Sequence, residues 1–289
     1  MPVAVYDTKL PEGTPERMRV RFWGVRGSIP TPQAENLGVG GNTACVEVRL
    51  PDGSCCAFDA GTGARPFGAY LLHEADGAAL DLHLFLSHFH WDHIQGLPFF
   101  APLYAPTSRL TIYASDHDGP PADLITEQMQ EPFFPVAFEE LPAETRIEPI
   151  HGIDPVRLDA ATVHPFPVHH TQFVLGYRLE SHNASVVYCT DYEHGDAELD
   201  ALLVETAAGA DLLICDAQYT PEEYATRQGW GHTTWEWAAR LAREAEVGHL
   251  ALFHHDPAHD DEMLAQILEA AQGLFPHTIL ATEGVAVDL

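Results

Sequence analysis

The chain has 289 residues, of which 46% are hydrophobic and 10% aromatic, and this is enough apolar material for a large buried core. Its formal net charge is −29, from 43 acidic and 14 basic residues. Because a polyanion meets long-range repulsion at such a surface, the charge disfavours a DNA- or RNA-wrapping role, and its simplest effect is solubility.

The predicted elements begin with strands and then alternate between strands and helices. Short runs rich in β-branched or aromatic residues predict strands at 19–23, 44–50, 55–59, 82–86, 110–113, 146–149, 162–168, 174–179, 185–189, 211–215, 249–252 and 278–281. Apolar residues at helical spacing predict helices at 66–75, 122–129, 196–206, 233–245 and 260–274. No change of composition marks a linker, so we predict one domain over residues 1–289.

Two segments carry more specific expectations. Thr233 or Thr234 would cap the helix predicted at 233–245, and Gly248 would mark its end. Residues 116–155 are rich in Pro, Glu and Phe and have the least regular pattern. We expect this segment to be a lid or a loop insertion over a site.

Cysteine usage and the N-terminal sequence indicate a compartment. The cysteines are five in number and form no CxxC pair, which favours buried, reduced thiols over a disulfide framework. The first residues, MPVAVYDTKLPEG, hold no apolar segment typical of a signal peptide, and no apolar stretch approaches a membrane span. We therefore expect a cytoplasmic protein without membrane contact.

The stretch LFLSHFHWDH, residues 84–93, concentrates metal-binding side chains. An apolar strand ends, and His88, His90, Asp92 and His93 follow within six residues. Imidazole and carboxylate groups suit zinc first, with manganese, iron or cobalt as alternatives. These four groups cannot all bind one tetrahedral ion and leave a reactive position, so they indicate two adjacent ions.

Further donor residues follow other apolar strands. His169 and His170 follow the apolar run of FPVHHT, and Asp191 follows that of VVYCTD. His254 and His255 follow the apolar run of LALFHHDP in the same way. Each of these positions is a weak signal alone, but together they supply enough ligands for two ions. His73, His117, His182, His194 and His277 show no such pattern, and we assign them no role.

The HxHxDH motif, followed by His, Asp and His at strand ends, resembles the metallo-β-lactamase-fold hydrolases over most of the chain. The segments FDAGTG, GVRGSIPTP, GGNTACVEV, HWDHIQGLPFF, LLICDAQYTPEEY, GWGHTTW and LFHHDP resemble a branch near tRNase Z and the cyclic-phosphate phosphodiesterases. The resemblance implies an α+β fold, a four-layer αββα sandwich of two mixed β-sheets flanked by helices. It also allows a homodimer.

The resemblance implies a ligand set for two divalent ions, with zinc preferred. The first ion would be bound by His88, His90 and His170, the second by Asp92, His93 and His254, and both by Asp191. His169 and His255 remain alternatives to their neighbours. An aspartate at 191 instead of a cysteine argues against a typical zinc β-lactamase, and His90 instead of a glutamate argues against the diiron oxygen-reducing branch.

The resemblance also implies the chemistry. His232 would act as general acid, Asp216 would fix its tautomer and raise its pKa, and Asp92 would serve catalysis as a ligand. A hydroxide bridging the two ions would then attack a small phosphodiester, such as a cyclic nucleotide or cyclic sugar phosphate. The alternatives are a lactone, thioester or other carboxylic ester hydrolase, a tRNA 3′-processing endonuclease, and a non-catalytic metal-binding regulator.

Other residues near these motifs have two interpretations. Asp59 would accept a hydrogen bond from a ligating histidine. Arg26, Ser28 and Asn42 would either line the pocket or satisfy backbone groups in glycine turns. The aromatic residues Trp91, Phe99, Phe100 and Trp230 would either stack on a base or belong to the core, and we favour the core.

Overall fold

The computed structural model describes residues 16–182 and 184–289. The N-terminal segment in which we predict no signal peptide lies outside these residues. The described chain forms two compact units. The first comprises residues 16–24, Thr43–Gly152 and Gly284–Asp288, and the second comprises Val25–Asn42 and Ile153–Glu283. The single domain over residues 1–289 stays a prediction.

The strands of the described residues are short and mostly buried. In chain order they are β1 (Arg19–Gly24), β2 (Cys45–Arg49), β3 (Cys55–Phe58), β4 (Leu80–Phe85), β5 (Ser108–Ser115), β6 (Glu144–Ile150), β7 (Val156–Arg157), β8 (Thr162–Val168), β9 (Val174–Ser181), β10 (Ala184–Cys189), β11 (Leu212–Asp216), β12 (His249–Phe253), β13 (Thr278–Leu280) and β14 (Ala286–Asp288).

The α-helices follow or join these strands. They are α1 (Ala64–Ala75), α2 (Trp91–Ile94), α3 (Pro121–Glu127), α4 (Ala197–Ala207), α5 (Pro221–Tyr224), α6 (Trp235–Glu244) and α7 (Asp261–Leu274). Single 3-10 turns occur at Ala34–Asn36, Leu97–Phe99, Ala101–Tyr104 and Phe138–Glu140. None of the described helices combines the length and apolarity needed to cross a membrane.

The first unit contains a mixed seven-stranded sheet in the order β14-β1-β2-β3-β4-β5-β6. Its first four strands pair antiparallel, and β3 through β6 pair parallel. Helix α1 buries Phe67 and Leu71, four residues apart, in one cluster with Leu82, Leu84 and Ile112 of the sheet. Burial of each such side chain stabilises the fold by roughly 1.5–3 kcal/mol.

The second unit contains a mixed seven-stranded sheet in the order β13-β12-β11-β10-β9-β8-β7. Strands β13 through β10 pair parallel, and β10 through β7 pair antiparallel. Helix α6 contacts α7 and β12, and it buries Ala238, Ala239 and Ala242 on one face. Apart from Asp216 at the end of β11 and His249 at the start of β12, these two parallel strands are apolar, as expected for strands covered on both faces.

Each predicted helix and strand is found at its place, with ends shifted by a few residues. Strands β7 and β14 and the single-turn helices α2 and α5 were not predicted. Residues 116–155 contain α3 and β6 as well as irregular chain. The predicted α+β class, with two mixed sheets flanked by helices, is confirmed.

Candidate metal centre

The first unit carries its donor residues directly after the parallel strand β4. His88, Asp92 and His93 are buried, and His90 is half-buried. The ring centroids of His88 and His90 are 4.5 Å apart, and those of His88 and His93 are 4.3 Å apart. Asp92 Oδ2 lies 3.2 Å from His93 Nε2. Helix α2 brings these last two groups together, because both belong to its first turn.

Asp59 follows β3, the strand next to β4, and organises two of these imidazoles. Its Oδ2 accepts a hydrogen bond from His93 Nδ1 at 2.7 Å and from the Ser87 hydroxyl at 2.8 Å. The Ser87 oxygen lies 2.9 Å from His88 Nδ1. The predicted bond from Asp59 to a motif histidine is therefore present. With Nδ1 of both rings engaged in this way, Nε2 is the nitrogen that each imidazole offers to a metal.

The second unit places three more donor residues close together. Asp191 Oδ2 lies 3.7 Å from His170 Nε2, and Asp191 Oδ1 lies 3.2 Å from His254 Nε2. His170 Nδ1 donates to the Gly231 carbonyl at 2.7 Å, and His254 Nδ1 lies 3.0 Å from Gln218 Oε1. The two oxygens of Asp191 thus face two different imidazoles, which is the geometry of a carboxylate that can bridge two ions.

The neighbouring histidines point elsewhere. His169 Nδ1 donates to the Glu193 carbonyl at 2.9 Å, and His255 Nε2 donates to the Ala281 carbonyl at 3.0 Å. Burial lowers the pKa of His255 to about 3, so this ring is neutral at physiological pH. The contacts with Asp191 favour His170 and His254 over these neighbours, and the ligand assignment stays a prediction.

His232 and Asp216 form a buried pair in the second unit, as predicted. Nδ1 of His232 donates to Asp216 Oδ2 at 2.8 Å, while Asp216 Oδ1 accepts from the backbone N–H of Gln218 and of Thr233, each at 3.1 Å. The ring of His232 lies 5.3 Å from that of His170 and 5.0 Å from that of His254. The pair therefore stands beside two candidate ligands.

Three site residues have left-handed backbone conformations. Asp59, Asp191 and His254 have φ angles of 59°, 51° and 60°. Each comes immediately or shortly after a parallel strand, and the turn sets the direction in which the side chain leaves the sheet. Non-glycine residues adopt this conformation at a cost of about 1–2 kcal/mol.

The segments around Arg26 serve the fold. Arg26 is fully buried, and its guanidinium donates to the carbonyls of Gly40 at 2.7 Å and His259 at 2.6 Å. The amide of Asn42 donates to Glu283 at 2.9 Å. Of the two interpretations, backbone satisfaction therefore holds for Arg26, while Ser28 is exposed.

The expectation that four aromatic residues belong to the core was wrong for three of them. Trp91, Phe99 and Trp230 are 67%, 59% and 60% exposed, and only Phe100, at 2%, is core. Trp91 stands at the start of α2, and Trp230 lies between two glycines with positive φ angles. The local turns keep these side chains out of the core, although their aromatic character favoured burial.

Sequence reasoning missed the groups that hold the histidines in place. Ser87, Gln218 and the Gly231 carbonyl each contact Nδ1 of a candidate ligand. A polar residue between an apolar strand and the first motif histidine was a usable signal for Ser87. No pattern in the sequence pointed to Gln218 or Gly231, because their partners are distant along the chain.

Comparison with known proteins places this geometry in a family. The profile of the family described as "Beta-lactamase superfamily domain" matches residues 57–255, more than half of the chain. The chain belongs to this family. The match includes every candidate ligand from His88 to His254.

Relatives of this superfamily member extend over nearly its whole length. A ribonuclease Z of Synechococcus sp. (strain WH7803) is 28% identical, covering 94% of this chain and 96% of its own. The crystal structure of the metallo-β-lactamase fold protein YhfI from Bacillus subtilis is 22% identical with a TM-score of 0.69, covering 94% and 99% of the two chains. A diphosphatase from the PhnP family is 21% identical, also with a TM-score of 0.69, covering 94% and 98%.

The donor set fits divalent metal ions. It consists of imidazole nitrogens and carboxylate oxygens, most of them buried, and His88, His93, His170 and His254 are each held through Nδ1. In the first unit, His88 and His90 offer ligand atoms within 4.8 Å of each other, and so do Asp92 and His93. In the second unit, a carboxylate oxygen of Asp191 lies within 4.8 Å of a ring nitrogen of His170 and of one of His254. This superfamily member is a metal-dependent hydrolase.

Proposed function

We propose that this hydrolase is a dinuclear phosphodiesterase that cleaves a small phosphodiester, such as a cyclic nucleotide or a cyclic sugar phosphate. The observation that carries the proposal is the buried pair of His232 and Asp216 beside the rings of His170 and His254. An alkoxide leaving group is strongly basic and needs a proton, and an imidazole fixed in this position can donate one. The name ribonuclease Z of the full-length relative supports the same bond type.

We assign the ligands as the family resemblance implies. His88, His90 and His170 would bind the first ion, Asp92, His93 and His254 would bind the second, and Asp191 would bind both. Zinc is the preferred metal because nitrogen and oxygen donors of this kind suit it, with manganese or iron as substitutes. Asp92 contributes to catalysis as a ligand.

When bound, two such ions supply an activated water at neutral pH and neutralise charge on the phosphoryl oxygens. His232 donates the Nε2 proton to the leaving oxygen. Asp216 keeps the Nδ1 proton of His232 in place and stabilises the imidazolium form before that donation. Asp59 keeps His93 oriented with Nε2 as the coordinating atom.

A small substrate fits the charge of the chain. With a net charge of −29, the surface repels an extended polyanion, whereas one phosphate can still be held by the ions. The five free cysteines are all buried, which supports the proposal of a reducing, cytoplasmic location. The family resemblance also allows a homodimer.

Cleavage of tRNA precursors is the second candidate. It is favoured by the similarity to ribonuclease Z over 96% of that protein's length. The acidic balance opposes it, and we find no Gly-rich basic insertion in the sequence that would form an arm for tRNA. Incubation of the metal-loaded protein with a tRNA precursor tests it directly.

The test is hydrolysis of bis(p-nitrophenyl) phosphate by protein loaded in turn with zinc and with manganese. We expect turnover with at least one metal. His90→Ala should lower the bound metal and abolish turnover, while His277→Ala, a change at an exposed histidine, should do neither.

The outcomes separate the candidates. Turnover that vanishes in His90→Ala supports the phosphodiesterase and leads to a comparison of cyclic phosphates. No turnover with two ions bound refutes it and points to lactones, thioesters or other carboxylic esters. Unchanged metal content in His90→Ala contradicts the ligand assignment.

A further inference from the structure

Glu193 is a buried carboxylate two residues after Asp191, with an exposure of 5%. Its Oε1 accepts hydrogen bonds from the Gly229 N–H at 2.6 Å and from the Tyr224 hydroxyl at 3.0 Å. Its Oε2 accepts from the Gly231 N–H at 2.7 Å. Three donors converge on one acceptor group, and such charge-assisted bonds are stronger than those between neutral partners. The Glu193 side chain therefore holds the backbone of residues 229–231.

The backbone of Glu193 is bound to a different loop. Its N–H donates to the His169 carbonyl at 2.7 Å, and its carbonyl accepts from His169 Nδ1 at 2.9 Å. His169 immediately precedes His170. One residue thus joins three loops of the second unit, namely those that carry His170, Asp191 and His232.

Gly231 completes the connection. Its carbonyl accepts from His170 Nδ1 at 2.7 Å, and its φ angle is +85°. A Cβ atom added at Gly231 would stand 2.1 Å from that same Nδ1, so the backbone lies directly against the imidazole. The residue after Gly231 is His232. The position of the Gly231 backbone consequently fixes the orientation of the His170 ring and the place where the backbone of His232 begins.

We infer that Glu193 is a positioning residue that acts through the backbone of Gly231 to fix His170 as a ligand and His232 as the proton donor. This inference rests on the proposed function for the roles of those two histidines. Both carboxylate oxygens of Glu193 are engaged by Tyr224 and the two glycine N–H groups, so we assign Glu193 no direct role toward the substrate or an ion. Its carboxylate is required because an amide would turn an N–H donor toward one of the glycine N–H groups.

The variant Glu193→Gln tests the inference. We expect kcat for bis(p-nitrophenyl) phosphate to fall about 10- to 100-fold, as for other groups that orient metal ligands, while KM changes little. Protein loaded with cobalt(II) should show an altered visible spectrum, because His170 moves. Apparent affinity for one of the two ions should fall about 10- to 100-fold in competition with a chelator.

Tyr224→Phe is the matched control. It removes one donor to Glu193 and leaves both bonds to the glycines, so we expect a wild-type spectrum and kcat. Equal losses in Tyr224→Phe and Glu193→Gln would overturn the inference. So would a Glu193→Gln protein with a lower melting temperature but an unchanged cobalt spectrum and kcat, since Glu193 would then serve only the fold.

Gly231→Ala decides the question if Glu193→Gln does not fold. The added methyl group displaces His170 from the other end of the same connection and should produce the same spectral change. An unchanged spectrum would overturn the inference. Metal affinity and the cobalt spectrum need no substrate, so they report on Glu193 even if the protein hydrolyses no phosphodiester.

Discussion

Asp59 shows how one residue can organise several others. Its carboxylate accepts from the Ser87 hydroxyl, the Ser87 N–H and His93, and the Ser87 oxygen in turn contacts His88. Two imidazoles are thereby held by a single buried group. Their side chains lose less rotational freedom on metal binding because the protein has already fixed them.

We expect Asp59→Asn to weaken metal binding about 10- to 100-fold, because an amide cannot accept all of these bonds. Competition with a chelator measures the change. Asp52→Asn, in an exposed turn where Asp52 binds Ser54, is the control and should bind metal normally. Equal affinity in the wild type and Asp59→Asn would show that Asp59 does not set the ligands.

The proposed acid makes a prediction about leaving groups. p-Nitrophenolate can leave without being protonated, whereas an alkoxide leaving group needs a proton. The variant His232→Gln should therefore slow the hydrolysis of alkyl phosphodiesters by about 10²–10⁴-fold and slow the hydrolysis of aryl phosphodiesters far less. Relative kcat/KM values for the two substrate types give the answer. His277→Gln should leave both unchanged, and an equal loss on both substrates in His232→Gln would rule out proton donation by His232.

At the scale of elements, the N-terminal cap of helix α6 both stabilises the helix and lies close to the candidate site. It begins three residues after His232, and the Thr234 side chain accepts from the Trp237 N–H at 3.1 Å. Of the two caps that the sequence allowed, Thr234 is the one used. The cap therefore fixes where the helix starts, close to the proposed proton donor.

We expect Thr234→Ala to lower the free energy of unfolding by about 1 kcal/mol, since one N–H of the first turn loses its acceptor. Urea unfolding followed by circular dichroism measures it. Thr234→Ser keeps the oxygen and should retain most of the stability. A Ser variant as unstable as the Ala variant would mean that the methyl group of Thr234, and not the cap, stabilises the helix.

The predicted elements were those with a clear periodic pattern. Helices α1 and α7 and strands such as β12 combine buried apolar residues with polar boundaries, so local sequence identifies them. Strand β7 has two residues and helix α2 has four, which is too short for any period to show. Strand β7 forms by pairing with β8, which follows it closely in the chain, and such a short pairing leaves no periodic pattern in the sequence.

The residues of the site also fall into those that local sequence predicts and those that it does not. Donor residues after apolar strands were visible because strand ends and residue types are local properties. The supports were not visible, since Glu193 and Gly231 are 38 residues apart and the sequence does not specify which backbone N–H a buried carboxylate meets. The apolar character of Trp230 likewise favoured burial, but the conformation of its loop leaves the side chain exposed.

For the whole molecule, burial controls the chemistry of the thiols. All five cysteines are buried, and burial raises the pKa of Cys56 to about 12 and the pKa of Cys55 and Cys189 well above the ordinary range. Because the thiolate is the reactive form, these groups are inert while the protein is folded.

We expect fewer than one thiol to react with Ellman's reagent at neutral pH in the native protein and all five to react in denaturant. Absorbance of the released thionitrobenzoate counts them. Protein lacking metal should behave similarly, since no cysteine is among the candidate ligands. Rapid reaction of one native thiol would contradict the burial of these residues.

The left-handed conformations of Asp59, Asp191 and His254 set an evolutionary condition on the fold. Glycine adopts this conformation without steric cost, whereas the aspartate and histidine side chains present adopt it at a small cost. We expect a homologous chain that no longer hydrolyses a substrate to be free to carry glycine at all three positions. The residue types at these positions therefore indicate whether a homologous chain is still an enzyme or has become a scaffold.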